Sequence, residues 1–266
     1  MSDNKPFMSR IHLFEFEDQP LFPKFIRDYG TDFLQFIANK TFMFKPVLPL
    51  LERGIRSSKA HTIIDLASGG GGGLVKLNEE LLKIFPDLKI ILTDYYPNLE
   101  AFVFIKSQAS NIDFETQPVN ALDVPKELKG LRTQFLSFHH FRPEEALRIL
   151  QNSVDANSSI AIFEAQERNL PSLLAMFFSP LTVLLTTPFI RPFRFGRLVF
   201  TYLIPIVPLF VWWDGIVSLL RTYSVKEMKE LVSQLNQADS YTWDIGRMKS
   251  GPGAILYLLG ERNNRG

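Results

Sequence analysis

The sequence predicts an α/β protein. Its expected core is a doubly wound sheet of about seven strands, mostly parallel and closed by a C-terminal antiparallel hairpin, with helices before it and an apolar helical insertion within it. Three observations predict this. Short apolar runs and helix-like segments alternate from residue 61 to about 165, the pattern of parallel strands joined by right-handed crossovers. Five consecutive glycines at 69–73 follow the first apolar run. Two more strand-like runs near the C-terminus flank the turn sequence Ser250-Gly251-Pro252-Gly253.

Residues 1–60 are aromatic and mixed in charge, with prolines at 20, 23, 46 and 49. Between 24 and 42, Phe25, Ile26, Tyr29, Phe33, Phe36 and Ile37 fall at helical spacing, which predicts one or two helices. They form an N-terminal cap that either covers the sheet or closes a pocket as a lid. The main domain, 61–266, reads as strands at Thr62–Asp65, 89–93, 114–119, 134–138 and 159–163. The helices between them read at 74–85, 99–109 and 143–151, the last with Pro143 in its first turn.

The segment 168–222 breaks this rhythm. Residues 170–190 and 198–213 contain no charge, and the basic stretch RPFRFGR lies between them. About 20 apolar residues can span a bilayer. Prolines at 180 and 188 interrupt the first run, and prolines at 205 and 208 the second. The expected arrangement is therefore a pair of buried or surface-lying helices capping the sheet. Its alternatives are a peripheral membrane contact through 170–213, with arginines at the tip, and two spanning helices. At Ser224 the globular pattern resumes: Ser224 and Glu227 form a capping box for a helix to about residue 236. Strands at 241–247 and 254–260 make the terminal hairpin.

The composition narrows the function. A net charge of +1 gives no electrostatic footprint for nucleic acid. With no cysteine, a disulfide frame, a thiolate metal site and a Cys nucleophile are excluded. Four histidines without ligand spacing predict no zinc site. The first ten residues lack the apolar stretch of a signal peptide, which fits a cytoplasmic protein. The 24 phenylalanines imply a large aromatic core or a pocket for an apolar ligand.

The stretch HTIIDLASGGGGG joins a strand ending in Asp65 to a glycine turn and a helix. Glycines there let a ligand approach the backbone, and the helix N-terminus offers unpaired N–H groups to it. The next apolar run ends in Asp94, roughly 20 residues beyond the glycines, where nucleotide sites place a ribose-binding carboxylate. Ligands of such sheets sit beyond the carboxyl ends of the strands, where Asp65, Asp94, Asn120 and His139 fall.

With these motifs, from about residue 61 to 260, the chain resembles the class I S-adenosylmethionine-dependent methyltransferases, which have a Rossmann-like fold. The opening EFEDQPLFP and the later WWDGIVSLLRTYS resemble a bacterial subgroup of that family. Asp65-Leu66-Ala67-Ser68-Gly69-Gly70-Gly71 corresponds to the family's first motif, with Ala67 where the first glycine is usual, a mild change provided φ stays negative. The resemblance implies that Asp65, Ala67, Gly69, Gly70 and Gly71 line the methionine and sugar parts of S-adenosylmethionine. It implies that Asp94, followed by Tyr95, accepts the ribose hydroxyls, and that Asn120, Ala121 and Asp123 form the adenine turn. The run Phe135 to Phe141 corresponds to the segment bordering cofactor and acceptor.

Methyl transfer is an in-line displacement, which needs positioning, exclusion of water and, for a protonated nucleophile, a base. His139 and His140 are the candidate bases, either of which could instead be a satisfied structural residue. Glu164, at a strand end, faces the acceptor or pairs with an arginine. Arg168 and Arg221 are candidate clamps for an anionic group, or partners of nearby acids. Trp212, Trp213 and Asp214 suggest an aromatic wall with one carboxylate, or a tryptophan pair at the core edge. The expected activity is transfer of a methyl group to a small hydrophobic or aromatic acceptor. The alternatives are a non-catalytic, membrane-associated cofactor-binding protein of the same fold, or a nicotinamide-dependent oxidoreductase.

Overall fold

The computed structural model describes residues 8–59 and 61–263; the first seven residues of the predicted cap lie outside them. Residues 8–23 form an irregular strap, followed by α1 (Lys24–Lys40), a 3-10 turn and α2 (Leu48–Ser58). The alternating region is β1 (Thr62–Asp65), α3 (Leu74–Leu81), β2 (Lys89–Leu92), α4 (Leu99–Gln108), β3 (Ile112–Phe114), β4 (Leu131–Phe135), α5 (Pro143–Asp155) and β5 (Ile160–Glu164). The insertion follows as α6 (Leu170–Phe177), α7 (Ser179–Thr186), α8 (Phe195–Leu198) with a π-helical turn at Val199–Leu203, and α9 (Ile206–Arg221). Then come α10 (Val225–Val232), β6 (Tyr241–Ser250) and β7 (Gly253–Arg262).

The seven strands run in the order β3-β2-β1-β4-β5-β7-β6. Five are parallel, and β7 is antiparallel to both β5 and β6, as the sequence predicts. Side chains alternate across the sheet, so neighbours along a strand serve opposite cores. Ile63 and Phe163 join α2, α3 and α4 on one face. Ile64 and Ile162 join α5 and α10 on the other. The capping box at Ser224 forms: the Glu227 carboxylate accepts from the Ser224 N–H at 2.7 Å, and Ser224 Oγ accepts from the Glu227 N–H at 3.3 Å.

Two strands differ from their predicted positions. The third is Ile112–Phe114 rather than 114–119, because Ile112 is the buried residue that pairs with Ile90 and Pro118 has no N–H for a ladder. The fourth is Leu131–Phe135 rather than 134–138. A charged residue hides its start: Arg132 is 1% exposed and its guanidinium donates to Asn152 Oδ1 at 2.7 Å and Ser153 Oγ at 3.2 Å on α5. Leu136, in the left-handed region at φ 51°, ends the strand.

The cap and the insertion are one layer. Ile26, Tyr29 and Phe33 of α1 share a third core with Val183 of α7 and Val207, Phe210 and Val211 of α9. The predicted pair of helices is thus a bent set wrapped around α1. Among the described residues no single helix is long and apolar enough to cross a membrane, and the two apolar pairs are bent by 44° and 80°. Two of the three arginines of the basic tip turn inward, since Arg197 bonds Asp32 at 2.6 Å and Arg194 lies 3.0 Å from Glu100.

Candidate active site

Between the strand ends and this helical layer lies a cavity of about 740 Å³. Its floor is the turn after β1. The Asp65 carbonyl accepts from the Thr93 N–H (2.9 Å) and hydroxyl (2.8 Å), and the Ser68 N–H donates to the Thr93 carbonyl (2.9 Å), so the turn is stapled to β2. From above, Asn39 of α1 donates to the Gly72 carbonyl at 2.7 Å and accepts from the Lys76 N–H at 2.9 Å. A Cβ at Gly70 would meet the Thr31 carbonyl at 2.6 Å, so this glycine serves the close approach of α1 as well as that of a ligand.

The cofactor-type residues divide. Ala67, Gly69, Gly70, Asp94, Tyr95, Asn120 and Ala121 line the cavity, together with Ser68, Gly72 and Leu122. Asp94 accepts the Gly69 N–H and the Tyr96 N–H, each at 2.7 Å, one on each carboxylate oxygen. Three residues do not line it. Asp65 is 1% exposed and its carboxyl accepts from the Thr133 hydroxyl at 2.6 Å; it holds the turn from beneath, and burial pushes it up to about 7. Gly71, at φ 94°, faces Ile105 of α4. Asp123 points to solvent, because its turn folds back through a bond from its N–H to the Asn120 carbonyl. Ala67 lies at φ 53°, so the expectation of a negative φ there does not hold.

His139 and His140 both line the cavity and have different surroundings. His139 is 3% exposed. Its Nδ1 lies 2.9 Å from Glu164 Oε2, and Glu164 Oε1 accepts the His139 N–H at 3.1 Å. Glu164 therefore pairs with a histidine rather than an arginine. A carboxylate accepts, so Nδ1 is the donor of this pair, with the Gln166 amide 3.4 Å from the same nitrogen, and the buried Nε2 has no partner among the described residues. His140 Nδ1 lies 2.8 Å from Asp18 and 3.0 Å from Glu15, and these carboxylates hold its pKa well above the ordinary histidine value despite burial. Glu15, His139 and His140 bring potential metal-ligand atoms within 4.8 Å of one another. The His140 and Arg221 cations already balance Glu15 and Asp18 there, leaving little net negative charge to draw a dication.

The acids that meet His140 come from the strap, which sequence reasoning passes over. The FEFEDQPLFP segment alternates acids with aromatics, a signal that those acids have partners in a dry place. The strap is tied down by the insertion. Asp214 accepts the Phe16 and Glu17 N–H groups, each at 2.9 Å. Trp213 donates to the Phe14 carbonyl at 3.0 Å, and Arg221 donates to the Leu13 carbonyl and pairs with Asp18 at 2.5 Å. Burial pushes Asp214 up to about 7 and Glu17 to about 8.

Of the predicted acceptor-binding set, only Asp214 lines the cavity. Arg221 is a clamp on the strap. Arg168 is buried and pairs with Glu227 at 2.5 Å, reinforcing the α10 cap. Trp212 packs near Phe177 and Trp213 against Phe14, so neither forms a wall of the cavity; consecutive residues on α9 point in different directions. The walls instead come from Phe33, Phe44, Met176, Phe210 and Val211, with the polar Ser137 and Gln166 near His139.

No family model matches the chain, and no curated protein does. Among solved structures it is similar to an O-methyltransferase family protein from Burkholderia thailandensis, at 16% identity and a TM-score of 0.48 over 84% of this chain and 57% of that one. It is also similar to human N-acetylserotonin methyltransferase in complex with SAM, at 16% identity and a TM-score of 0.49 over 92% and 61% of the two chains. A third is PigF with SAH, at 18% identity and a TM-score of 0.49 over 92% and 63%. The chain spans about three-fifths of the length of these structures.

Proposed function

We propose that this protein is a class I S-adenosylmethionine-dependent methyltransferase with His139 as general base. One observation carries the reading. A glycine turn and the carboxylate of Asp94 share a cavity with His139, whose buried Nε2 has no partner among the described residues.

The residues present suit the cofactor. Ala67, Ser68, Gly69 and Gly70 offer backbone without bulk, and Asp94 keeps free lone pairs after its two N–H bonds. Asn120 and Ala121 border the same space for an adenine ring. Bound S-adenosylmethionine supplies an electrophilic methyl group on a sulfonium. The protein's own part is to hold the acceptor, exclude water and remove one proton.

His139 would take one proton on Nε2 from an acceptor O–H or N–H, while S-adenosylmethionine held by Ala67, Ser68, Gly69, Gly70 and Asp94 would supply the methyl group to that acceptor atom and leave as S-adenosylhomocysteine. The resulting imidazolium is held by Glu164 through Nδ1. His140 is unsuited to this role because its carboxylate partners keep it protonated. The apolar walls favour a small hydrophobic or aromatic acceptor, and Asp214 and Gln166 are the polar groups placed to orient it.

Calorimetric titration with S-adenosylhomocysteine tests the cofactor half. Wild type should bind and Asp94→Ala should bind at least about tenfold more weakly. No binding to the folded wild type overturns the reading. For the base, His139→Ala should keep S-adenosylhomocysteine affinity while losing about 10²–10⁴ in kcat on any acceptor turned over by wild type. An unchanged kcat would remove the base role.

A further inference from the structure

The outer surface of the insertion has no partner within the described chain. Helix α6 has no buried residue, although its sequence is LPSLLAMF. Phe178, Leu185, Phe189, Phe195 and Leu203 are each at least 60% exposed. Contiguous apolar surface of this kind marks a site of interaction. Across the 44 residues from 170 to 213 there are three arginines and no Asp, Glu or Lys. Arg194 and Arg197 turn inward onto Asp32 and Glu100. Arg191 stays exposed; among the described residues its guanidinium bonds the Pro188 and Ile190 carbonyls and lies 5.9 Å from the Phe193 ring.

We propose that this face docks on the surface of an anionic bilayer. Short bent helices with outward Leu and Phe side chains suit the boundary between headgroups and acyl chains. Arg191, beside the Phe193 ring, is placed to meet a phosphate there. A second copy of the chain is the other candidate for covering the face, and charge argues against it. A self-complementary contact through 170–213 would bury Arg191 against a surface with no carboxylate to pair with it. The cavity supplies a further reason. Ala175, Met176, Ser179 and Thr182 of α6 and α7 line it, so these two helices are the layer between the cavity and the exposed face. A bilayer on that face lies one helix away from the site.

The test is flotation of the full chain with vesicles of phosphatidylcholine alone and of phosphatidylcholine mixed with phosphatidylglycerol. Wild type should float with the mixed vesicles and more weakly with the neutral ones. Phe178→Glu combined with Leu185→Glu should lower partitioning on the order of tenfold. Arg191→Glu should remove the preference for phosphatidylglycerol. All three proteins should bind S-adenosylhomocysteine alike, which separates loss of docking from misfolding and from failure of the methyltransferase reading. Wild type free of both vesicle types overturns the proposal. So does a dimer in light scattering that the paired glutamate variant dissociates, because a second copy would then cover the face.

Discussion

Ala67 occupies a left-handed backbone position that glycine would hold without strain. A non-glycine residue there costs of order 1–3 kcal/mol, of which the greater chain entropy of unfolded glycine returns part. Ala67→Gly should therefore stabilise the protein by about 1 kcal/mol and raise Tm by about 2 °C. A lower Tm in a thermal melt would contradict the observed φ. The second residue-scale prediction concerns Asp214. Burial raises its folded pKa to about 7, above the unfolded value of about 3.9. With a raised folded pKa, its contribution is fully present below about pH 4 and is lost as pH rises through about 7. Urea midpoints between pH 4 and 8 should accordingly decline more steeply for wild type than for Asp214→Asn. The difference should be on the order of 4 kcal/mol, and parallel curves would refute it. The motif residues at 67–70 and at Asp94 are legible because local chain geometry brings them to the strand ends. The different surroundings of His139 and His140 are not legible, because they depend on Glu164, Glu15 and Asp18 arriving from distant parts of the chain.

The element that decides the shape of the site is the strap at 8–23. It has no regular structure, and it is held by side-chain bonds from α9, by Arg27 of α1 bonding the Glu17 and Gln19 carbonyls, by the Ile11 N–H on the Leu220 carbonyl, and by Phe16 and Phe22 packed on the third core. Arg221 is the centre of that set, facing Asp18, Glu15 and the Leu13 carbonyl while 2% exposed. Removing it leaves Glu15, a fully buried carboxylate, with His140 as its remaining cation. Arg221→Ala should cost about 3 kcal/mol in chemical denaturation and expose the strap to cleavage in limited proteolysis. An unchanged cleavage pattern would show that Asp214 and Trp213 suffice. The strands and crossover helices were read nearly in place because their periodicity is local. The third and fourth strands were displaced because Ile112 stands beside polar neighbours and Arg132 is a charge inside a strand.

At the scale of the whole molecule, the sheet with its two faces is dense, and the helical layer above it is thinly packed where α6 and α7 turn outward. Hydrogen exchange should separate the two. Amides of β1, β4 and β5 should open only with global unfolding, and those of α6 should exchange faster by orders of magnitude. Uniform protection across both would show that the layer is fastened by more than its third core. The layer also explains why the cap and the insertion looked independent. Each is an amphipathic piece in its own stretch of chain, and only the pairing of α1 with α7 and α9 gives them a shared interior.

Residue spacing within a few turns or strands carries the alternating sheet, the glycine turn, the carboxylate of Asp94 at a strand end and the terminal hairpin. Which histidine nitrogen is without a partner among the described residues, the use of Arg168, Trp212, Trp213 and Arg221 in packing and the strap, and the place of Asp65 beneath the turn arise in the folded chain. Those outcomes depend on which charges become neighbours once water is excluded. Such neighbours come together across long stretches of chain, where periodicity carries no information.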